Sequence, residues 1–257
     1  MTTGQKINEK ELKRRKGAQS IYRTIDLLRT LAECNEAGIN LSDLARKNSL
    51  PVATVHRIVS VLVSEELVSF DPLSKSYRIG FGLYRLGCNA RQFSIRDTYR
   101  KCIEQIAQST GETVYLVVRA GFDSLCIDLV EGEFPIRIMA YDIGDRRPLG
   151  VGAGSLALMA FLPLNETEAI LKANRNRYTD YGGLSVERVR QMVDISRSLG
   201  HVFNEGNYLA GVTGVGVPVY GPEDTVIAAI SVASISERMD PERASEIAAM
   251  IRHSVVL

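Results

Sequence analysis

Leu41-Ser42-Asp43-Leu44-Ala45-Arg46-Lys47-Asn48-Ser49-Leu50-Pro51-Val52-Ala53-Thr54-Val55-His56-Arg57-Ile58-Val59-Ser60-Val61-Leu62 reads as two short helices joined by a tight turn. Leu41, Leu44 and Ala45 set an apolar stripe at helical spacing. Asn40 or Ser42 offers an oxygen to an unpaired first-turn N–H. Pro51 disfavours α geometry at Leu50 but suits the first turn of the next helix, where its missing N–H costs nothing. In that second helix Val55, Ile58, Val59 and Leu62 recur at i, i+3, i+4 and i+7. Ala53, Arg57 and Ser60 take the opposite side, with Thr54 and His56 on its flanks. Small residues near a helix start allow close approach, and an arginine there reaches a guanine edge or a phosphate. This is the layout of a recognition helix. A helical hairpin with a solvated polar face has the same pattern.

The flanking sequence favours the first reading. Upstream, Ile21, Ile25, Leu27, Leu28 and Leu31 outline an amphipathic helix that Gly38 follows closely. Downstream, Leu67 to Phe70 and Ser76 to Gly80 flank Asp71-Pro72-Leu73-Ser74-Lys75, which predicts a β-hairpin. Lys75 and Arg78 stand where such a wing could meet phosphates. Three helices followed by a hairpin make a winged helix. On Gln19 to Leu28, Leu41-Ser42-Asp43-Leu44-Ala45, Thr54-Val55-His56-Arg57 and Tyr77-Arg78-Ile79-Gly80, the region resembles the IclR family of transcription regulators. Where that family usually carries a polar pair before the Thr, this chain has Val52 and Ala53. The resemblance continues through most of the remaining chain.

Composition bounds the alternatives. The chain has 257 residues, 45% hydrophobic and 24% charged, which suits one large or two modest globular domains. No apolar run approaches the roughly 18–20 residues of a membrane span, and residues 1–16 lack the apolar centre of a secretory signal. A cytoplasmic protein is expected. Cys34, Cys88, Cys102 and Cys126 are scattered and read as reduced thiols. His56, His201 and His253 are dispersed, so no metal site and no cofactor is expected. Net charge is +1, but residues 1–80 hold 13 Lys/Arg against 9 Asp/Glu. The run Lys10 to Lys16 is a solvated tail that could also follow a DNA backbone, giving salt-sensitive affinity.

The predicted organisation is a disordered basic tail (1–18), a winged helix-turn-helix (19–80), a linker helix (81–93) and a second domain (94–257). Ile95 to Ser109 has a helical pattern. Thr113 to Arg119, Ser124 to Val130 and Ile136 to Ala140 read as strands. Helices are expected over Leu156 to Leu162, Glu166 to Ala173 and Val186 to Leu199. A hairpin around Gly221 to Asp224 and a helix from Pro241 close the chain. The order predicts an α+β fold with an antiparallel-rich sheet and helices on its faces. The resemblance implies a GAF-like effector-binding domain, a linker segment that packs on its mate from a second subunit, and dimers that often pair into tetramers.

Gly150-Val151-Gly152-Ala153-Gly154-Ser155 fits neither a dinucleotide fingerprint nor a P-loop nor a nucleophile elbow. The preceding Asp145-Arg146-Arg147-Pro148 is expected not to be a strand. Small residues at a loop-to-helix junction suit a carboxylate at the positive helix end, or equally the close packing of a loop on a sheet. Arg147 could pair with a carboxylate there, or be a solvated surface arginine.

At matching positions the resemblance implies a pocket of Met139, Ala153, Gly154, Asn204, Val212, Gly214 and Ser231. Met139 and Val212 would form apolar walls. Asn204 and Ser231 would hydrogen-bond, and the Ala153 and Gly154 amides would hold an anionic oxygen. Asn204 stands where the family is rich in acids and Gly214 where Cys is common, so the ligand chemistry is expected to differ from better-known members. A pocket with few polar groups suits an organic, possibly aromatic, acid.

Ser20, Arg23, Thr54, His56, Arg57 and Lys75 would touch DNA, with Ala53 and Ser60 on the same outer face. Arg57 would read bases, while Ser20, Arg23 and Lys75 would position the backbone. The expected function is a ligand-responsive, DNA-binding regulator that reads a duplex operator as a homodimer. The alternative is an enzyme in the C-terminal domain with a regulatory N-terminal module. The few His, the scattered Cys and the absence of a catalytic motif count against it. A pure protein-interaction module is a third reading.

Overall fold

The computed structural model describes residues 18–88, 91–136, 138, 141–206 and 209–255. The chain divides into two compact units, Met1–Ala90 and Arg91–Leu257.

The first unit runs α1 (Gln19–Glu33), β1 (Ile39–Asn40), α2 (Leu41–Lys47), α3 (Val52–Ser64), β2 (Val68–Asp71), β3 (Ser76–Ile79) and α4 (Phe81–Cys88). Its core is small: Leu27, Leu31, Leu44, Val55, Val59, Leu62 and Val68 meet where the three helices cross the sheet. Of the two offered N-caps of α2, Asn40 serves, accepting the Asp43 N–H at 2.9 Å. Pro51 is the N-cap of α3 rather than a residue of its first turn. The turn between them needs Ser49 at φ 52°, left-handed backbone held by its N–H on the Arg46 carbonyl. Strand order is β1-β3-β2, all antiparallel. The wing turn is fixed by Asp71, whose carboxylate accepts the Leu73 N–H and the Ser74 hydroxyl. Those bonds hold its pKa below the ordinary value.

The second unit is α5 (Arg91–Thr110), β4 (Thr113–Ala120), β5 (Asp123–Val130), β6 (Arg146–Pro148), α6 (Ala153–Ala160), α7 (Leu164–Asn174), α8 (Val186–Leu199), β7 (Val202–Glu205), β8 (Val212–Tyr220), β9 (Val226–Ile235) and α9 (Pro241–Ser254). Its antiparallel sheet has the order β6-β5-β4-β9-β8-β7. Alternation splits the strands between two cores. Val114, Leu116 and Val118 face α5 and α9 with Ile230, Val232 and Ile247. Tyr115 and Val117 face α6 and α8 with Leu156, Met159 and Val193. Two ion-paired carboxylates anchor the first layer. Buried Asp128 meets Arg100 at 2.8 Å and Arg96 at 3.2 Å, and buried Glu112 meets Arg238 at 2.8 Å and Arg243 at 3.2 Å.

Two expectations are corrected. Arg146–Pro148 is a strand after all, short because only three residues pair with β5, in the register Asp123↔Pro148, Ser124↔Arg147 and Leu125↔Arg146. The helix expected from Ile95 begins at Arg91, adding a first turn whose single apolar residue, Phe93, sets no periodic pattern. Of the expected strand Ile136–Ala140, residues 137, 139 and 140 lie outside the described residues, while 136 and 138 are not in a strand.

Candidate functional site

Helix α3 buries Val55, Val59 and Leu62 and turns Ala53, His56, Arg57 and Ser60 outward, with Thr54 half-buried. The expected apolar and polar faces are therefore the buried and exposed ones. Arg57 has no hydrogen bond or ion pair among the described residues, so its guanidinium is available to a partner. Ser60 differs, since its hydroxyl donates to the His56 carbonyl of its own helix at 2.8 Å. Ser20 is exposed and Arg23 half-exposed in the first turns of α1. Lys75 is exposed on the wing at φ 51°. Arg78 is half-exposed, with its guanidinium held by the first unit's own groups. It donates to the Ala37 carbonyl at 3.1 Å and lies 3.9 Å from Asp71, so it braces the wing.

The second unit contains a cavity over the sheet, roofed by the loop that enters α6. Ala153, Gly154, Asn204, Val212, Gly214 and Ser231 all line it, joined by Tyr115, Val117, Tyr141, Arg147, Val151 and Leu209. Met139 lies outside the described residues.

Glycines set how closely α6 approaches the sheet. A Cβ at Gly216 would sit 2.4 Å from the Ala153 carbonyl oxygen, and one at Gly214 would sit 2.9 Å from the Ala153 Cβ. A Cβ at Gly154 would sit 2.7 Å from the Ser231 Oγ. Gly152, the N-cap, takes φ 83°, which side chains disfavour. The stretch 150–155 thus both packs on the sheet and lines the cavity; the two readings offered for it coexist. The Ser155 hydroxyl donates to the Pro148 carbonyl at 3.0 Å, tying α6 to β6.

Polar groups in the cavity are few. Ser231 is 6% exposed, and its hydroxyl has no partner among the described residues. Asn204 is 5% exposed. The Tyr115 hydroxyl donates to the Ile138 carbonyl. The Arg147 guanidinium lies 4.2 Å from the centre of the Tyr141 ring, and the Tyr141 hydroxyl shares a 2.6 Å hydrogen bond with the Ser124 hydroxyl. Sequence reasoning missed Tyr141 and Tyr115. The alternation of β4 carried a signal for Tyr115, but none marked Tyr141, which lies in an irregular segment.

Two thiols of the second unit are poorly suited to nucleophilic attack. Burial pushes the Cys126 thiol up to about 12 and the Cys102 thiol up to about 11, which keeps both protonated and unreactive at neutral pH. Among the described residues no group of three or more His, Cys, Asp or Glu could hold a metal ion.

Comparison with known proteins matches residues 89–256 to the C-terminal domain of the bacterial transcriptional regulator IclR and residues 20–72 to the IclR helix-turn-helix domain. The chain is 26% identical to the HTH-type transcriptional repressor AllR of Klebsiella pneumoniae, over 91% of this chain and 86% of that protein. It is 28% identical to the HTH-type transcriptional regulator KipR of Bacillus subtilis, over 81% and 84%. The Thermotoga maritima IclR structure superposes with a TM-score of 0.76 at 23% identity, covering 93% of this chain and 96% of that one. An IclR homologue from Microbacterium hydrocarbonoxydans, complexed with 4-hydroxybenzoate, gives 0.73 at 22% identity, covering 92% and 97%. With family domains matched over most of its length, the chain belongs to the IclR family of DNA-binding transcriptional regulators.

Proposed function

We propose that this regulator binds duplex DNA through α3 and the wing, and that a small organic acid in the α6 cavity changes its DNA affinity. Arg57 would read base edges. Ser20, Arg23 and Lys75 would contact the phosphate backbone, and Ala53, Thr54, His56 and Ser60 would lie against the groove. Ala153, Gly154, Asn204, Val212, Gly214 and Ser231 would hold the acid, and the family resemblance adds Met139, which lies outside the described residues. The observation that carries the effector reading is the cavity itself: among the described residues it has apolar walls, a Ser231 hydroxyl without a partner, and one charged lining side chain, a cation. The complex of the Microbacterium homologue with 4-hydroxybenzoate supports an acid of that size.

A homodimer suits this reading, because paired recognition helices read half-sites about one helical turn apart. Exposed apolar side chains on α1 (Ile21, Ile25) and α4 (Phe81, Tyr84, Leu86) provide a surface for a second copy, and dimers could pair further into tetramers. No described helix is long and apolar enough to cross a membrane, which agrees with a cytoplasmic regulator. The C-terminal domain is proposed to sense without catalysing, since its two buried thiols are held protonated.

The test is binding to the DNA upstream of its own gene across a salt series, with and without benzoate, 4-hydroxybenzoate and lactate. Steeply salt-dependent, sequence-specific binding that one acid alters is the expected result. Equal affinity for all DNA fragments, unaltered by any acid, refutes it.

A further inference from the structure

We propose that Arg147 sets the charge selectivity of this cavity: it takes a monocarboxylate, with the carboxylate at the β6 side and an uncharged polar group at the β7 side. The inference rests on the effector reading above and sharpens it.

Three observations carry it. First, Arg147 is the one ionisable side chain other than tyrosine among the described lining residues. The described lining residues include no Asp or Glu, and the polar side chain from β7 is the amide of Asn204. Second, the guanidinium is held in place. Ser124 pairs with Arg147 across β5 and β6 and bonds the Tyr141 hydroxyl, whose ring lies under the guanidinium at 4.2 Å. One serine therefore fixes both the strand and the ring, and a cation so braced loses little further freedom on meeting an anion. Third, β6 and β7 are the opposite edges of the sheet, so Arg147 and Asn204 enter the cavity from opposite sides. The cavity is thus polarised, with a cation at one side and a neutral amide at the other. The Ser231 hydroxyl on β9 lies between them. A second negative charge would be placed against Asn204, and the described lining residues hold no cation on that side to meet it.

Strand geometry also separates Arg147 from its neighbour. Arg146 points the other way, donating to the Ala120 carbonyl at 2.8 Å and lying 3.5 Å from Asp123.

The experiment is calorimetric titration of the full chain with matched ligands: benzoate against benzamide, and benzoate against terephthalate. Charge-assisted hydrogen bonding predicts that benzoate binds about 10- to 100-fold tighter than benzamide, and that terephthalate binds more weakly than benzoate. Arg147→Met should weaken benzoate far more than benzamide and so abolish the preference between them, and Arg147→Lys should keep part of it. A melting curve establishes that each variant folds, and the wild-type ligand pairs need no variant at all. Equal binding of benzoate and benzamide, an unchanged preference in Arg147→Met, or tighter binding of terephthalate would each overturn the inference and leave the effector reading standing. Absence of binding by benzoate, 4-hydroxybenzoate and lactate alike would overturn both.

Discussion

Helices α3 and α6 are the two helices proposed to meet a ligand with their N-terminal halves, yet they are opposite kinds of sequence. Helix α3 is amphipathic: Val55, Val59 and Leu62 hold it down while Arg57 reaches outward. Helix α6 is buried nearly all round, from Gly154 to Ala160, and offers small residues and backbone rather than long side chains. The ligand's size explains the contrast. A duplex is too large to enclose, so it must be met by long side chains on a solvated face, where each costs the fold little. A small acid can be enclosed, and enclosure demands close approach, which glycines at Gly154, Gly214 and Gly216 allow. The DNA face should therefore tolerate side-chain changes without loss of fold, and the pocket should not.

The largest expected effect breaks the smaller unit. Leu44 is fully buried at the centre of the first core. Truncation to Leu44→Ala should cost about 2–5 kcal/mol, enough to unfold so small a domain at growth temperature. Denaturant melts followed alongside DNA binding and acid binding should then lose the first activity and keep the second. Simultaneous loss of both would mean that the units do not fold independently.

Gly216→Val is the converse. Its Cβ would strike the Ala153 carbonyl, so α6 must lift from β8 at about 1–3 kcal/mol. Acid binding should vanish while affinity for bulk DNA at low salt persists, which gel shift and calorimetry on the same preparation can separate.

Arg57→Ala should leave the melting temperature unchanged and weaken operator binding by about 1–3 kcal/mol. A folded variant with wild-type affinity for the operator would remove Arg57 from the interface.

The smallest effect is a pH dependence seated in the second unit. His201 is buried between α8 and β7, with its Nδ1 3.1 Å from the Leu199 carbonyl oxygen. Burial first, and the Arg252 cation in smaller measure, hold its pKa below the ordinary 6.5, against the pull of that carbonyl. The unfolded chain takes up this proton near 6.5 while the folded chain resists, so stability is full above that pH and declines as the pH falls through the folded pKa. His201→Gln should flatten the fall in melting temperature between about pH 7.5 and about pH 5.5. An identical slope in the variant would place the dependence elsewhere.

These contrasts also explain what could be read beforehand. The recognition helix was legible because its face is written at a period of 3.6 residues: Val55, Ile58, Val59 and Leu62 are spaced by the helix itself. The wing was legible from Asp71-Pro72 between two apolar runs. Of the cavity, Ala153, Gly154, Asn204, Val212, Gly214 and Ser231 were named from family positions, and neither spacing nor composition would have found them. Tyr141 carries no periodic signal, and Arg78 looked like a wing cation until its guanidinium was placed on the Ala37 carbonyl.

Local rules, then, determined the elements of this protein: helical periods, caps and turn residues fixed α1 to α3, the wing and most strands of the second sheet. Tertiary structure alone decided which side chains meet. Arg146 and Arg147 are adjacent and chemically identical, and nothing in the sequence tells them apart. Pairing of Ser124 with Arg147 sets the register of β6, and the two-residue period of a strand then sends Arg146 to Asp123 and Arg147 to the cavity. That register depends on a partner strand distant in sequence, so it exists only once the sheet has formed.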